Sequence, residues 1–254
     1  MGSTKSELAR CIYEQGDPLV RLARAIHADP ELAVSAFDAS ARLVEFLCDN
    51  GFEIRIGICG LATAFIASRG AGALRLTLCA DYDSLDGGVG HGSGHHLVAG
   101  ATVGAAVGVA PFADDLGLTV SVLGTPGAEL PRLLAGGAFD GTHAVLMIVP
   151  TAAGLTPRVM EYLPNRELRR DAPLRRAFAR NAAALGLTAQ IGTRDFAARS
   201  DTDDAYQEML HAAVALAWTT FDAATARELR AHLMETADTS AAARHRQRRE
   251  RGGR

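Results

Sequence analysis

Between Asp81 and His96 the chain reads DYDSLDGGVGHGSGHH. Three carboxylates, three imidazoles and five glycines fall within these sixteen residues. Carboxylates and imidazoles held together can exchange protons, because burial and neighbouring charge move their pKa values toward neutrality. The same residue types are also ligands for divalent metals. Asp81 and Asp83 alternate just after a β-prone run, so both are expected to project to one side. His91 and His95 follow in the loop, and Glu129 lies beyond the carboxyl end of a later strand. These five groups are expected to line one pocket as the catalytic residues. Ser93 and His96 are candidate substrate contacts. Ser93 can instead cap the following helix or act as a nucleophile beside His91 or His95. It does not sit in a nucleophile elbow, since His91 and His95 stand where that turn needs glycines. His96, like His143, His211 and His232, has a structural or surface role as its alternative. Asp86 opens the glycine run and reads as a turn residue. The run has no phosphate-loop lysine, and its carboxylates would repel a phosphate at the helix start.

The elements around this loop must deliver its side chains to one place. Leu74, Leu76 and Leu78 alternate with Arg75, Thr77 and Cys79, the period of a strand. The segment at about 96–110 is helical and built of very small residues, which permit close approach to a sheet. Strand, loop and helix in that order place the loop beyond a strand's carboxyl end, where open α/β sheets bind ligands. Residues 118–123 and 144–149 read as further strands, with a helix at about 129–136 between them. That alternation predicts a largely parallel sheet with right-handed crossovers.

Upstream, residues 5–27 read as helix in two pieces, broken near Gly16-Asp17-Pro18. Asp17 is the expected N-cap, with Pro18 at the first helical position. Residues 38–50 form another helix, with Leu43, Phe46 and Leu47 as its apolar stripe. Phe52–Ile58 and Leu61–Ala67 read as a hairpin. Downstream, residues 151–166 contain Gly and two prolines and read as a connector. Helices are expected at about 171–185, 202–221 and 223–237, with Trp218 and Phe221 docked on the sheet.

With 254 residues and 48% apolar side chains, the chain can build a substantial core. A net charge of −3 gives no reason to expect nucleic acid or an anionic membrane as partner. Cys11, Cys48, Cys59 and Cys79 show no paired spacing and are expected to be reduced and mostly buried, as in a cytosolic protein. MGSTKSELAR has no apolar signal region, and no run suggests a membrane span. Residues 240–254 are arginine-rich and read as a disordered tail after a single domain over 1–239.

The segments IHADPEL, DNGFEI, CGLATAFIAS, DYDSLDGGVGHGSGHH, VLGTPGAE and AGGAFDGTHAVLMIVP resemble, in that order, the M20 metallopeptidase family. The resemblance is to its aminoacylase and amidohydrolase branch, with aminobenzoyl-glutamate and indole-acetyl-amino-acid hydrolases. It covers residues 19–150 and resumes from Pro164 to about Asp238. It implies a zinc-peptidase-like α/β fold, a three-layer α/β/α sandwich with a mostly parallel sheet. It also implies two divalent metals that activate water against an amide carbonyl, with a glutamate taking the proton.

Several positions depart from that pattern. The family's GHACGH reads His91-Gly92-Ser93-Gly94-His95 here, so Ser93 replaces the cysteine ligand while His95 is kept. TPAEEG becomes Thr125-Pro126-Gly127-Ala128-Glu129, which places Ala128 at the general base and keeps Glu129. Val149 and Gly192 replace two ligand histidines. The lid or dimerisation domain that follows MIHP in the family is absent between about 150 and 164. The expectation is an enzyme that has lost dinuclear metal hydrolysis. It would use metal-independent acid-base chemistry (cyclisation, elimination or isomerisation) on a small amide- or amino-acid-like substrate in biosynthesis. The alternatives are a residual amidohydrolase with one divalent metal on His95 and Glu129, and a non-catalytic binding protein. No cofactor, nucleic acid or membrane partner is expected, and the oligomeric state is open without a dimerisation domain.

Overall fold

The computed structural model describes residues 2–32, 35–84, 94–151, 154–162, 168–187 and 200–235. The segments containing Asp86, His91, Ser93, Gly192 and the arginine-rich tail lie outside these, as do the expectations attached to them.

Three helices open the chain: α1 (Gly2–Glu14), α2 (Gly16–Ala28) and α3 (Phe37–Asp49). The break at Gly16 is where it was expected, but Gln15 is the cap and Asp17 falls in the first turn of α2. Leu19, Leu22, Ala23 and Ile26 are its buried stripe. Strands β1 (Glu53–Ile56) and β2 (Phe65–Arg69) pair antiparallel. They are shorter than the sequence suggests, because Ile58–Gly60 forms a 3-10 turn with Cys59 at a positive φ of 53°. Strand β3 (Leu74–Asp81) precedes the site loop, and α4 (His95–Val109) follows it. Then come β4 (Leu118–Thr125), α5 (Leu130–Gly136), β5 (Ala144–Thr151), β6 (Gly154–Tyr162), β7 (Leu168–Arg170), α6 (Ala172–Ala184) and α7 (Asp203–Thr225). Residues 227–235 are also helical.

The seven strands form one sheet in the order β1-β2-β4-β3-β5-β6-β7. Its centre, β4-β3-β5, is parallel, as the strand–helix alternation predicts. The flanking strands pair antiparallel. Alternation along β3 divides the core. Leu74, Leu76, Leu78 and Ala80 pack with α4 and α7 in the main core. Cys79 points the other way, joining Leu123, Val145, Leu133 of α5 and Phe139. Helices thus cover both faces, giving three α/β/α layers with one thick helical side and one thin.

Two expectations are corrected here. Residues 154–162 are not a connector: β6 pairs with β5 from Thr151↔Gly154 to Ala144↔Glu161. Pro157 obscured the strand in the sequence, yet β7 pairs only with residues 160–162, so Pro157 sits where β6 has one neighbour. Proline is tolerated at such an edge. Trp218 does not dock on the sheet; its indole N–H donates to the Lys5 carbonyl (2.7 Å), tying α7 to α1.

Helix α4 is the spine of the helical layer, with every residue from His96 to Val109 buried. Its glycines approach other helices rather than the sheet. A Cβ at Gly100 would lie 2.4 Å from Met209 Sδ, and one at Gly108 would lie 2.4 Å from Ile12 Cγ1. By length and composition, residues 95–112 could cross a membrane, but 78% of that window is buried inside the protein, as in a core helix. Of the four free cysteines only Cys79 is fully buried, and Cys48 is exposed, against the expectation of mostly buried thiols.

Candidate acid-base site

The parallel centre of the sheet fixes the site's position. Asp81 ends β3, its Cα paired with Thr125 at the end of β4. Tyr82 and Ser84 turn away from Asp81 and Asp83 and anchor the loop. The buried Tyr82 hydroxyl donates to the Thr63 carbonyl, and its ring stacks on Phe65 at 6.3 Å. The Ser84 amide and hydroxyl both donate to the Glu31 carbonyl, at 2.8 and 2.7 Å. The Glu31 carboxylate in turn accepts from the Ala39 amide (2.8 Å) in the first turn of α3. The IHADPEL segment therefore clamps the site loop to the helical layer.

Asp81, Asp83 and His95 converge. One ligand atom from each lies within 4.8 Å of the others. His95 Nδ1–H donates to the Asp83 carbonyl at 2.8 Å. A carbonyl can only accept, so in the neutral ring the lone pair lies on Nε2. Nε2 faces Asp81 Oδ2 at 3.7 Å, and Nδ1 lies 3.7 Å from Asp83 Oδ1. Asp83 Oδ1 also accepts from the Gly127 amide at 3.0 Å. Asp81 Oδ1 is buried and has no hydrogen-bond partner among the described residues.

Gly127 is the residue that sequence reasoning passed over. A Cβ there would fall 2.3 Å from Asp81 Oδ2. Its amide holds one carboxylate while its bare Cα makes room for the other. The available signal was the glycine in TPGAE, where the resembling family carries alanine. Gly127→Ala is expected to push Asp81 away from His95, and a crystal structure of the variant with the 3.7 Å spacing unchanged would contradict that expectation.

The other candidates separate. Glu129 is half-buried two residues beyond Gly127 and belongs to no ligand group with His95 among the described residues. Ala128, at the family's base position, is exposed. His96 is a core residue rather than a substrate contact. It is fully buried, its Nε2 bonds the Ser200 carbonyl at 2.9 Å, and its ring lies 4.6 Å from that of His27. One step along a helix turns a side chain by about 100°, which sends His95 to the sheet edge and His96 into the helical layer.

Burial pushes the Asp81 carboxyl up to about 8 from 3.8; the adjacent Asp83 acts in the same direction, and two backbone amides oppose it. The folded chain thus keeps a proton that the unfolded chain releases above about pH 4. Stability from this group is complete below the unfolded pKa and is lost as pH rises through about 8. In chelator-treated protein, the melting temperature of Asp81→Asn relative to wild type should therefore rise by at least ~2 °C between about pH 5 and about pH 9, leaving the variant the more stable at the alkaline end. A lower melting temperature at the alkaline pH would contradict this.

The donor set fits one divalent cation. Two carboxylates and an imidazole whose Nδ1 is held by a carbonyl, with its lone pair directed inward, are ordinary metal ligands. The orphaned Asp81 Oδ1 would gain a partner. Three donors among the described residues do not make up the two coordination spheres of a dinuclear centre.

The comparisons with known proteins agree with the fold. The chain is 32% identical over 179 residues to the mouse Xaa-Arg dipeptidase, covering 62% of this chain and 41% of that protein. Identity to the human Xaa-Arg dipeptidase is 33% over 169 residues, covering 58% and 38%. One of the subunits of the Escherichia coli (strain K12) p-aminobenzoyl-glutamate hydrolase is 30% identical over 145 residues, covering 48% and 30%. The chain thus spans less than half the length of these relatives. Among solved structures, the YXEP protein of Bacillus subtilis, a dinuclear metal binding peptidase from the M20 family, superposes with a TM-score of 0.57 at 15% identity, covering 83% of this chain and 99% of that one. No family model matches the chain. The fold is that of the M20 peptidase catalytic domains, and in sequence the chain is similar to the Xaa-Arg dipeptidases and to a p-aminobenzoyl-glutamate hydrolase subunit.

Proposed function

We propose that this chain is an M20-like enzyme in which Asp81 and His95 move protons to and from a small amide- or amino-acid-like molecule. The observation that carries this reading is a half-buried carboxyl, raised to about 8, facing the lone-pair nitrogen of His95 at 3.7 Å. In this arrangement protonated Asp81 is the acid and His95 Nε2 the base. Asp83 holds His95 through its carbonyl and is itself held by Gly127. Such a pair can remove a proton from one substrate atom and deliver one to another, as cyclisation, elimination and isomerisation require. Loss of dinuclear hydrolysis is supported by Ala128 at the position of the general base and by Ser93, Val149 and Gly192 at ligand positions. Only residues 152 and 153 separate β5 from β6, which supports the absence of an inserted lid domain there.

A second reading is favoured by the ligand geometry. One divalent cation held by Asp81, Asp83 and His95 would polarise a substrate carbonyl. The relatives, named as a dipeptidase and a hydrolase, make amide substrates the first to test. Dipeptides and N-acyl amino acids would be incubated with chelated and metal-supplemented enzyme and followed by mass spectrometry. Isomeric or dehydrated products in chelated enzyme, abolished by Asp81→Asn, are the expected result. Hydrolysis products formed only with added metal would move the assignment to the second reading.

A further inference from the structure

A second cleft lies at the far end of the helical layer. Along α4, Gly100 faces Met209 and Ala23, Gly104 faces Ala213 and Leu19, and Gly108 faces Ile12. Helix α7 therefore runs parallel to α4, and its distal end lies beyond Gly108, opposite His95. The 15 residues of α4 put roughly 20 Å between the two ends. At that distal end a cleft of about 590 Å³ opens between α1, α6, α7 and residues 227–235. This is the size of a small-molecule site.

Its floor is already ordered. Asn181, 5% exposed, accepts from Lys5 Nζ (3.0 Å) and donates to Asp222 (3.0 Å) and Thr219 (3.2 Å). Lys5 and Asp222 form an ion pair at 2.8 Å, so each neutralises the other. His232 is bound to Asp171 at 2.8 Å. Two guanidinium groups remain, Arg176 and Arg180, one turn apart on the same face of α6 and both lining the cleft. Neither has an ion-pair or hydrogen-bond partner among the described residues. Against them stands one exposed carboxylate, Glu228, so the cleft carries net positive charge. Each guanidinium can offer two parallel N–H donors to a carboxylate or phosphoryl group, and side chains four apart on a helix are neighbours.

We infer that this cleft binds a small organic or inorganic anion through Arg176 and Arg180, separately from the Asp81–His95 site. The test is calorimetric titration of the full chain with succinate and, separately, with inorganic phosphate. Saturable binding of at least one is expected. Succinate alone would assign the cleft to carboxylates, phosphate alone to phosphoryl groups, and both to anions in general. The R176Q/R180Q double variant should weaken binding at least tenfold at an unchanged melting temperature. R175Q, on the same helix but outside the cleft, should change it less than twofold. Absence of binding by either anion, equal binding by the double variant, or an equal loss in R175Q would overturn the assignment.

Discussion

Replacing His95 by alanine is expected to lower turnover by about 10²–10⁴-fold, the usual contribution of a positioned general acid or base. The fold should survive. His95 sits at the first position of α4, its side chain 14% exposed, and alanine is a good helix former there. The loss would appear in kcat more than in KM, because the imidazole is assigned to proton movement rather than to substrate affinity. His96→Ala offers the contrast. His96 is fully buried against His27, Tyr206 and the Ser200 carbonyl, so its removal should lower the melting temperature first. Comparable kcat losses in both variants at unchanged stability would refute this division of roles.

The second large effect concerns the scaffold. Leu78 is fully buried at the centre of the sheet, its Cα paired with Val122 on one side and Leu146 on the other. Leu78→Ala removes methyl groups from a site held by two parallel neighbours and covered by α4, so little can relax into the gap. The expected cost is about 2–5 kcal/mol, read as a fall in melting temperature of roughly 5–20 °C for a chain of this size. Leu32, 47% exposed, should tolerate the same change with almost no shift. Equal effects at both positions would mean that the core does not lie where the sheet places it.

The period of the side chains made most of the fold legible. Strand β3 alternates cleanly, α2 repeats its apolar residues at helical spacing, and β5 is a continuous apolar run. Strand β6 was hidden because Gly154 and Pro157 argue against a strand unless its neighbours are known, and neighbours are a tertiary fact. The site was legible in part. Composition singled out the Asp81–His96 loop, and alternation put Asp81 and Asp83 on one side. Two features were not legible. The part played by Gly127 depends on how closely β3 and the turn after β4 approach, which no local pattern records. The separation of His95 from His96 depends on where α4 begins, and a helix start read from sequence can shift by a residue or more.

The central claim is that this M20-like chain no longer works through a dinuclear metal centre. Elemental analysis of the protein purified without chelator tests it most directly. The expected result is fewer than two equivalents of divalent metal per chain: none for the acid-base reading, or one at Asp81, Asp83 and His95. Two tightly bound equivalents of zinc, manganese, nickel or cobalt per chain would contradict it.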